Sequence, residues 1–228
     1  MTSYKKFLCL SAISAITAGP ALAGTMTTAV QTDTHHFSAL NGSASVLFDG
    51  FDSNLGTLTA IFLTLSEVAT LNDTALVSPS GSGSQVVGNP TPLTASASLS
   101  VTGPNSLATS VSLTTPGFAG TVADTGSRIV VGSVIAGSAN SSASLTSPPT
   151  NLASYIGGVN AVTFSLLENG TQGGSVPDSV LTGNDGNADV TVTLQYQYTV
   201  ADVPEPASML TIVAGLLGLG VVRLRRRR

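Results

Sequence analysis

Two stretches of the chain alternate strictly between apolar and polar residues, and this alternation constrains the fold more than any other feature. In the segment 93–102 the apolar residues Leu, Ala, Ala, Leu and Val are separated by single Ser or Thr residues. The segment 190–200 repeats the pattern, with Val, Leu and Tyr alternating with Thr and Gln. Successive side chains of a strand point to opposite faces, so a period of two predicts half-buried β-strands whose Ser and Thr faces are solvated.

Less regular apolar runs begin at Ser43, Leu55, Ser127 and Val159, and the second of these is long enough for two strands or one long bent strand. Stretches rich in turn-forming residues begin at Ser78, Gly137 and Glu168 and are expected to separate the strands. We therefore predict an all-β body, an antiparallel β-sandwich of about seven to nine strands. Its core is expected to be thin and anchored by the aromatic residues Phe37, Phe48, Phe51, Phe62, Phe118, Tyr155, Phe164, Tyr196 and Tyr198.

The charge of the body limits its partners. Between Gly24 and Asp202, Arg128 is the single basic residue against eleven Asp and Glu, which gives a net charge of −10. Such a surface repels phosphate backbones, so nucleic acid is not expected as a partner. It also repels anionic polysaccharides unless divalent cations lie between the two.

The N-terminus predicts export. Lys5 and Lys6 precede an apolar run, and Ala21-Leu22-Ala23 forms an A-x-A cleavage site before Gly24. Residues 1–23 are therefore predicted to be a secretory signal peptide. Its cleavage removes the single cysteine of the chain, so the exported fold must be stable without disulfides.

The C-terminus predicts a membrane segment. Residues 207–222 carry no charge, and the basic residues that follow are Arg223, Arg225, Arg226, Arg227 and Arg228. A helix over this run would be about 24 Å long, somewhat short for a hydrocarbon core of about 30 Å. Arginine side chains can reach the interface from a short helix. By the positive-inside rule this end stays cytoplasmic.

Val203-Pro204-Glu205-Pro206, the short apolar helix and the arginine cluster, in this order, resemble the PEP-CTERM sorting signal of Gram-negative bacteria. The resemblance implies transient anchoring in the inner membrane. It also implies cleavage near the Pro-Glu-Pro motif by an exosortase, a membrane cysteine protease that releases the body to the envelope or extracellular matrix. The chain would then consist of a signal peptide (1–23), a surface domain (24–202) and a sorting signal (203–228).

The body has a second resemblance. "FDSNLGTLTAIFLTLS" from Phe51, "YIGGVNAVTFSLL" from Tyr155 and the closing "VTVTLQYQYTVADVPEP" are similar to segments of choice-of-anchor E domains. This resemblance implies a β-rich surface module with no assigned activity.

Two acidic stretches are candidate calcium sites, because calcium prefers oxygen ligands from loops. Asp185, Asn187 and Asp189 are the better set, and Asp49 with Asp52 is the second. The alternative is that these residues simply form turns. The adjacent residues His35 and His36 are not expected to share a metal, because neighbours on a strand point to opposite faces.

No catalytic motif is legible. Serines are abundant, but no Gly-x-Ser-x-Gly sequence lies at a strand-to-helix turn. We therefore predict that the protein is not an enzyme, and that it has a structural or interaction role at the cell surface or in an exopolysaccharide matrix. The alternatives are a carbohydrate- or ligand-binding module, which calcium could assist, and a secreted hydrolase whose paired carboxylates cannot be identified from sequence spacing.

Overall fold

The computed structural model describes residues 24–78, 81, 83–146, 149–157 and 161–200. Within these residues the regular structure is almost entirely β-strand. The strands are β1 (Thr25–Thr27), β2 (Gln31–Phe37), β3 (Asn41–Asp49), β4 (Thr57–Val77), β5 (Gln85–Val87), β6 (Thr94–Thr102), β7 (Ala108–Thr114), β8 (Gly120–Val122), β9 (Ile129–Thr146), β10 (Ala161–Gly173) and β11 (Val180–Thr199). Short 3-10 helices lie in the connections at Ser53–Leu55, Pro104–Ser106, Pro149–Asn151 and Ala153–Tyr155.

The strands form two larger antiparallel sheets and a small one. The first sheet has the order β1-β11-β4-β9, with β2 also paired to β11. The second has the order β3-β10-β6-β7, and β5 pairs with β8. Buried residues of both larger sheets belong to one hydrophobic cluster, which includes Leu65 and Val192 from the first and Leu99 and Phe164 from the second. The two sheets therefore pack face to face, and the predicted all-β sandwich is confirmed.

The alternating segments form strands as the sequence predicts. In β6 the inward positions Ala95, Ala97, Leu99 and Val101 are all buried. In β11 the inward side chains from Val190 to Tyr196 are likewise buried. The burial follows the period of two because each pleated strand has one face on the core and one in solvent.

The strand boundaries differ from the predicted ones. The run from Leu55 forms a single strand, β4, of 21 residues. Most of the stretches beginning at Gly137 and Glu168 form strands, because they continue β9 and β10 and contain the first part of β11, with a connection at residues 174–179. Their glycines, serines and asparagines are held in strands by pairing with long neighbours. For example, the segment 137–146 of β9 pairs with residues 60–69 of β4. The three-residue strands β1, β5 and β8 raise the number of strands above the expected seven to nine.

The core is thicker than expected. Six of the nine aromatic residues are buried, namely Phe37, Phe48, Phe51, Tyr155, Phe164 and Tyr196. Aliphatic side chains, including Ile61, Leu63 and Leu65, are also fully buried. Phe62 does not belong to the core: it lies on the outer face of β4 with 38% of its surface exposed.

One edge of the sandwich is closed by side chains. The Gln31 side chain on β2 accepts from the Asp49 amide at 2.7 Å and donates to the Asp49 carbonyl at 3.0 Å. Nearby, Asp33 accepts from the amide of Leu47 at 3.3 Å. These bonds satisfy backbone groups on β3, the edge strand of the second sheet, and so tie it to the first sheet.

Candidate functional site

The best predicted calcium ligands lie on a strand. Asp185, Asn187 and Asp189 alternate along β11, and all three side chains are exposed on its outer face. Such neighbours on one face are about 6.7 Å apart, and the expected loop geometry is therefore absent at this place. In the described part of the chain, no group of three His, Cys, Asp or Glu residues is arranged to hold a metal ion. Calcium binding by these residues stays a prediction.

The histidine pair divides between the two faces of β2. The His35 ring packs edge-on against Phe37, with ring centroids 4.6 Å apart. The His36 ring lies outside, where its Nδ1 is 2.7 Å from the Asp189 carboxylate. The second candidate calcium stretch forms a turn, because the Asp52 carboxylate accepts from the Asn54 amide at 2.9 Å and caps a 3-10 helix.

The most unusual chemistry lies inside the sandwich. Glu67 on β4 and Glu168 on β10 have no solvent exposure, and among the described residues neither carboxyl group has a hydrogen-bond partner. Burial raises the pKa of Glu67. Burial and then the nearby charge of Glu67 raise the pKa of Glu168 to about 8. Unpaired charge is costly in an apolar interior, so Glu168 retains its proton at neutral pH.

A second polar pair lies farther along the same strands. The Gln172 amide donates to the Asp73 carboxylate at 2.5 Å, and both residues come from inward positions of β10 and β4. Burial raises the pKa of Asp73, and the bond from Gln172 partly offsets this rise. A small apolar cluster of Leu40, Leu71, Ala95 and Ala97 is separate from the main core. In the order of residues along β4, this cluster comes between the two polar pairs.

The buried acids are not arranged as an open catalytic centre. A glycoside hydrolase needs its two carboxyl groups on either side of a bound sugar, whereas Glu67 and Glu168 have no access to solvent. In the part of the chain that the structure describes, this pair can hold protons, but a substrate cannot reach it.

The outer face of the second sheet is a regular, largely uncharged surface. Its side chains are short, uncharged and mostly hydroxyl-bearing, and we call it the hydroxyl face. It consists of Asn41, Ser43, Ser45 and Leu47 on β3, Thr163, Ser165, Leu167, Asn169 and Thr171 on β10, Ser96, Ser98, Ser100 and Thr102 on β6, and Ser110, Ser112 and Thr114 on β7. All of them are exposed or half-buried.

Strand register arranges the hydroxyl face in rows. One row crosses all four strands through Asn41, Asn169, Ser98 and Ser112. Neighbouring strands are about 4.8 Å apart, and successive residues on one face of a strand are about 6.7 Å apart. The face is therefore a regular array of hydrogen-bonding groups.

Charged side chains avoid the hydroxyl face. The exposed or half-buried acids of the described residues lie on β2, β11 and connecting segments: Asp33, Asp52, Asp124, Asp178, Asp185 and Asp189. Asp49, at the end of β3, is the acid at the margin of the face. The strands β6 and β7 contain no charged residue, and Glu168, the charged residue of β10, is buried.

Neither the buried acids nor the hydroxyl face is among the features predicted from the sequence. The burial of Glu67 could be predicted from the sequence, because Glu67 lies on the same face of the strand as the inward residues Leu63, Leu65, Ala69 and Leu71. The sequence also predicts solvated Ser and Thr faces on single strands. It does not predict which strands lie side by side.

The predicted processing sites fall outside the described residues. This applies to Ala21 and Ala23, to the motif 203–206, to the apolar run 207–222 and to the arginine cluster 223–228. Among the helices of the described residues, none has the length and apolar character needed to cross a membrane.

Comparison with known proteins gives one specific match. Residues 202–228 match the PEP-CTERM protein-sorting motif. No curated protein matches the chain. The resemblance of the body to choice-of-anchor E domains therefore stays a prediction.

Several solved structures are weakly similar to the chain. A structure of infectious bursal disease virus, Gx strain, is 15% identical at a TM-score of 0.23, and the match covers 83% of this chain and 41% of that chain. A nora virus structure is 12% identical at 0.26, covering 80% and 63%. VP1 of Trichodysplasia spinulosa-associated polyomavirus is 8% identical at 0.22, covering 75% and 96%. TM-scores this low do not establish a shared fold.

Proposed function

Because the chain carries a PEP-CTERM sorting motif and is therefore an exosortase-sorted extracellular protein, we propose that its body is a structural and interaction protein of the cell envelope and extracellular matrix. The observation that carries this proposal is the combination of the motif at residues 202–228 with a β-sandwich of residues Thr25–Val200. Export delivers the body to the compartment in which a structural or interaction role would operate.

The sorting step that we propose has two cleavages. Signal peptidase removes residues 1–23 and creates an N-terminus at Gly24. The apolar run 207–222 and the arginine cluster then hold the protein in the inner membrane until an exosortase cuts near Pro204-Glu205-Pro206. The prolines suit this role, because each fixes φ and disfavours helix, which leaves an extended segment next to the membrane.

Intact mass spectrometry of the protein from culture medium tests this sequence of events. The released form should begin at Gly24 and lack everything after the cleavage near Pro206. In a strain without the exosortase, or with Pro204, Glu205 and Pro206 all changed to Ala, the tail should remain and the protein should stay in the membrane fraction. An Asp189→Ala variant is the matched control, because it removes an exposed acid from the body and leaves the tail intact. Extracellular protein that retains the arginine cluster would contradict the proposal.

A carbohydrate-binding module is the second candidate, and the uncharged hydroxyl face favours it over a hydrolase. The exposed acids of β11, Asp185 and Asp189, offer a place for calcium-assisted contact with an anionic polymer. A hydrolase is less well supported, because Glu67 and Glu168 are closed off from solvent.

A further inference from the structure

We propose that the hydroxyl face is a docking surface for an uncharged polysaccharide chain. This inference rests on the proposed matrix role and adds to it the chemical class of the partner and the place where it binds. The starting observation is the contrast within one body: a net charge of −10 over residues 24–202, and an outer sheet face on which Asp49, at the margin, is the one charged side chain among the described residues.

Most of the polar side chains of the hydroxyl face are free to bind a partner. Ser96 bonds to Thr114 at 2.9 Å, Ser100 donates to the carbonyl of Leu167, and Asn41 accepts from the amide of Gly170. The other polar side chains of this face make no hydrogen bond within the described residues. They are nevertheless held in place, because each is short and attached to a paired strand. Ordering them on binding therefore costs less entropy than ordering long side chains would.

The charge distribution selects the class of partner. An anionic polymer on this face would be close to Asp49 at its margin and would be repelled by the −10 body at longer range. A cationic partner would instead favour the outer face of β11, where Asp185 and Asp189 are exposed. The hydroxyl face offers hydrogen bonds without charge, and this matches a polymer whose own surface consists of uncharged hydroxyl groups.

A protein partner fits this face less well. The core of a protein–protein interface is apolar and rich in aromatic side chains, and the hydroxyl face contains neither an aromatic residue nor an apolar patch. Its two exposed apolar residues, Leu47 and Leu167, are 57% and 47% exposed. In the strand register, Leu47 is opposite Thr163, four residues from Leu167 on β10, so the two leucines are about 13 Å apart along the strand. Each can instead contact the apolar side of one sugar ring.

Binding to this surface requires a repeating ligand. A hydrogen bond exchanged with water contributes only about 0.5–1.5 kcal/mol net, so one sugar gains little. The face extends about 14 Å across its four strands and about 20 Å along β6 from Ser96 to Thr102. A chain that follows the rows makes many such contacts at once, and its second and later contacts are intramolecular. Affinity should therefore rise steeply with chain length and change little with salt.

The test is affinity electrophoresis of the mature protein, purified from culture medium, in native gels that contain a polysaccharide. The uncharged probes are dextran, glucomannan and hydroxyethyl cellulose, and alginate is the anionic comparison. We expect at least one uncharged polymer to retard the protein, with the same retardation in 0.3 M NaCl and in EDTA. The corresponding mono- and disaccharides should compete at least a hundredfold more weakly than the polymer.

A matched pair of variants localises the contact. Asn169→Glu places a carboxylate in the row of the hydroxyl face that crosses all four strands, and Asn140→Glu places one at an exposed position of β9 in the first sheet. Asn169→Glu should weaken retardation at least tenfold, whereas Asn140→Glu should change it less than twofold. Both variants must unfold at the same temperature as the parent protein to within a few degrees.

Three results would overturn the inference. They are no retardation by any uncharged polymer, equal effects of the two variants, and retardation by alginate alone in the presence of calcium. The proposed function is measured separately, by the mass of the released protein and its recovery with the extracellular matrix. A protein that is processed and retained normally but binds no uncharged polymer would refute the docking surface and leave the sorting and matrix role standing.

Discussion

Raising the pH from 5 to 8 should destabilise the body, because buried Glu168 keeps its proton over most of this range while the unfolded chain releases the corresponding proton. The pKa of Glu168 is raised to about 8 by burial and by the charge of Glu67, whereas an unfolded glutamate has a pKa of about 4.3. Between these values the folded protein holds a proton that the unfolded chain has released. The free energy of unfolding therefore falls as the pH rises above the unfolded pKa, and the loss is complete above the folded pKa.

The size of this loss in unfolding free energy can be calculated from the single proton of Glu168. Each pH unit in this window lowers the free energy of unfolding by up to about 1.4 kcal/mol, so the three units from pH 5 to 8 amount to about 4 kcal/mol. A domain is usually stable by only about 5–15 kcal/mol, so the effect is a large part of the total. The raised pKa of Glu67 adds to the slope in the same direction.

The residues aligned with the pair on the directly paired strands do not titrate, and the histidine in the same row is His35 on β2, which is aligned with Val190. Glu67 is aligned with Val190 on β11 and Ala139 on β9. Glu168 is aligned with Gly42 on β3 and Leu99 on β6. The nearest further acid on β4, Asp73, is six residues along the strand, a distance of about 20 Å.

Urea unfolding of the secreted protein at pH 5, 6, 7 and 8 measures the slope of the free energy of unfolding against pH. Glu168→Gln keeps the size of the side chain and removes its charge, so it should remove at least half of the slope and stabilise the protein at pH 8. The double variant with Glu67→Gln should show a smaller pH dependence still, and the remainder is expected from buried Asp73, whose pKa is also raised by burial. Asp185→Asn, an exposed acid, should leave the slope unchanged. All variants carry His35→Gln and His36→Gln, because His35 lies in the same row of the first sheet as Glu67 and His36 contacts Asp189.

Two outcomes would refute this reasoning. One is a free energy of unfolding that stays constant or rises between pH 5 and 8 in the parent protein. The other is an equal loss of slope in Asp185→Asn and Glu168→Gln, which would assign the effect to general surface repulsion rather than to the buried pair.

Two further predictions concern packing. Phe164 is fully buried, so Phe164→Ala should lower the free energy of unfolding by about 3–5 kcal/mol. Phe62 lies on the outer face, and Phe62→Ala should lower it by about 1 kcal/mol. Equal losses in urea unfolding would show that Phe62 belongs to the core. A Cβ at Gly186 would overlap the carbonyl oxygen of Thr70, so Gly186→Ala should destabilise by about 1–3 kcal/mol. Gly173→Ala is the control, because a Cβ there makes only an ordinary contact, and matching melting temperatures for the two variants would argue against the close approach of β11 to β4.

The sequence alone determined the features that depend only on residues close together in the chain. The period of two in 93–102 and 190–200 predicted strands, because the pleat places alternate side chains on opposite faces whatever the strand pairs with. The sorting motif is also local, since an enzyme reads it as a short linear segment, and the match at residues 202–228 confirms it. The split of His35 and His36 between two faces followed from the same geometry.

The tertiary structure decided everything that depends on which strands are neighbours. The Gly- and Ser-rich segments after Gly137 and Glu168 form strands because a long partner satisfies their backbone hydrogen bonds, and this outweighs their local preference for turns. The pairing of Glu67 with Glu168 and the rows of the hydroxyl face have the same origin. Each joins residues from strands that are far apart in the chain, and side-chain periodicity gives the face of a residue without giving the strand beside it.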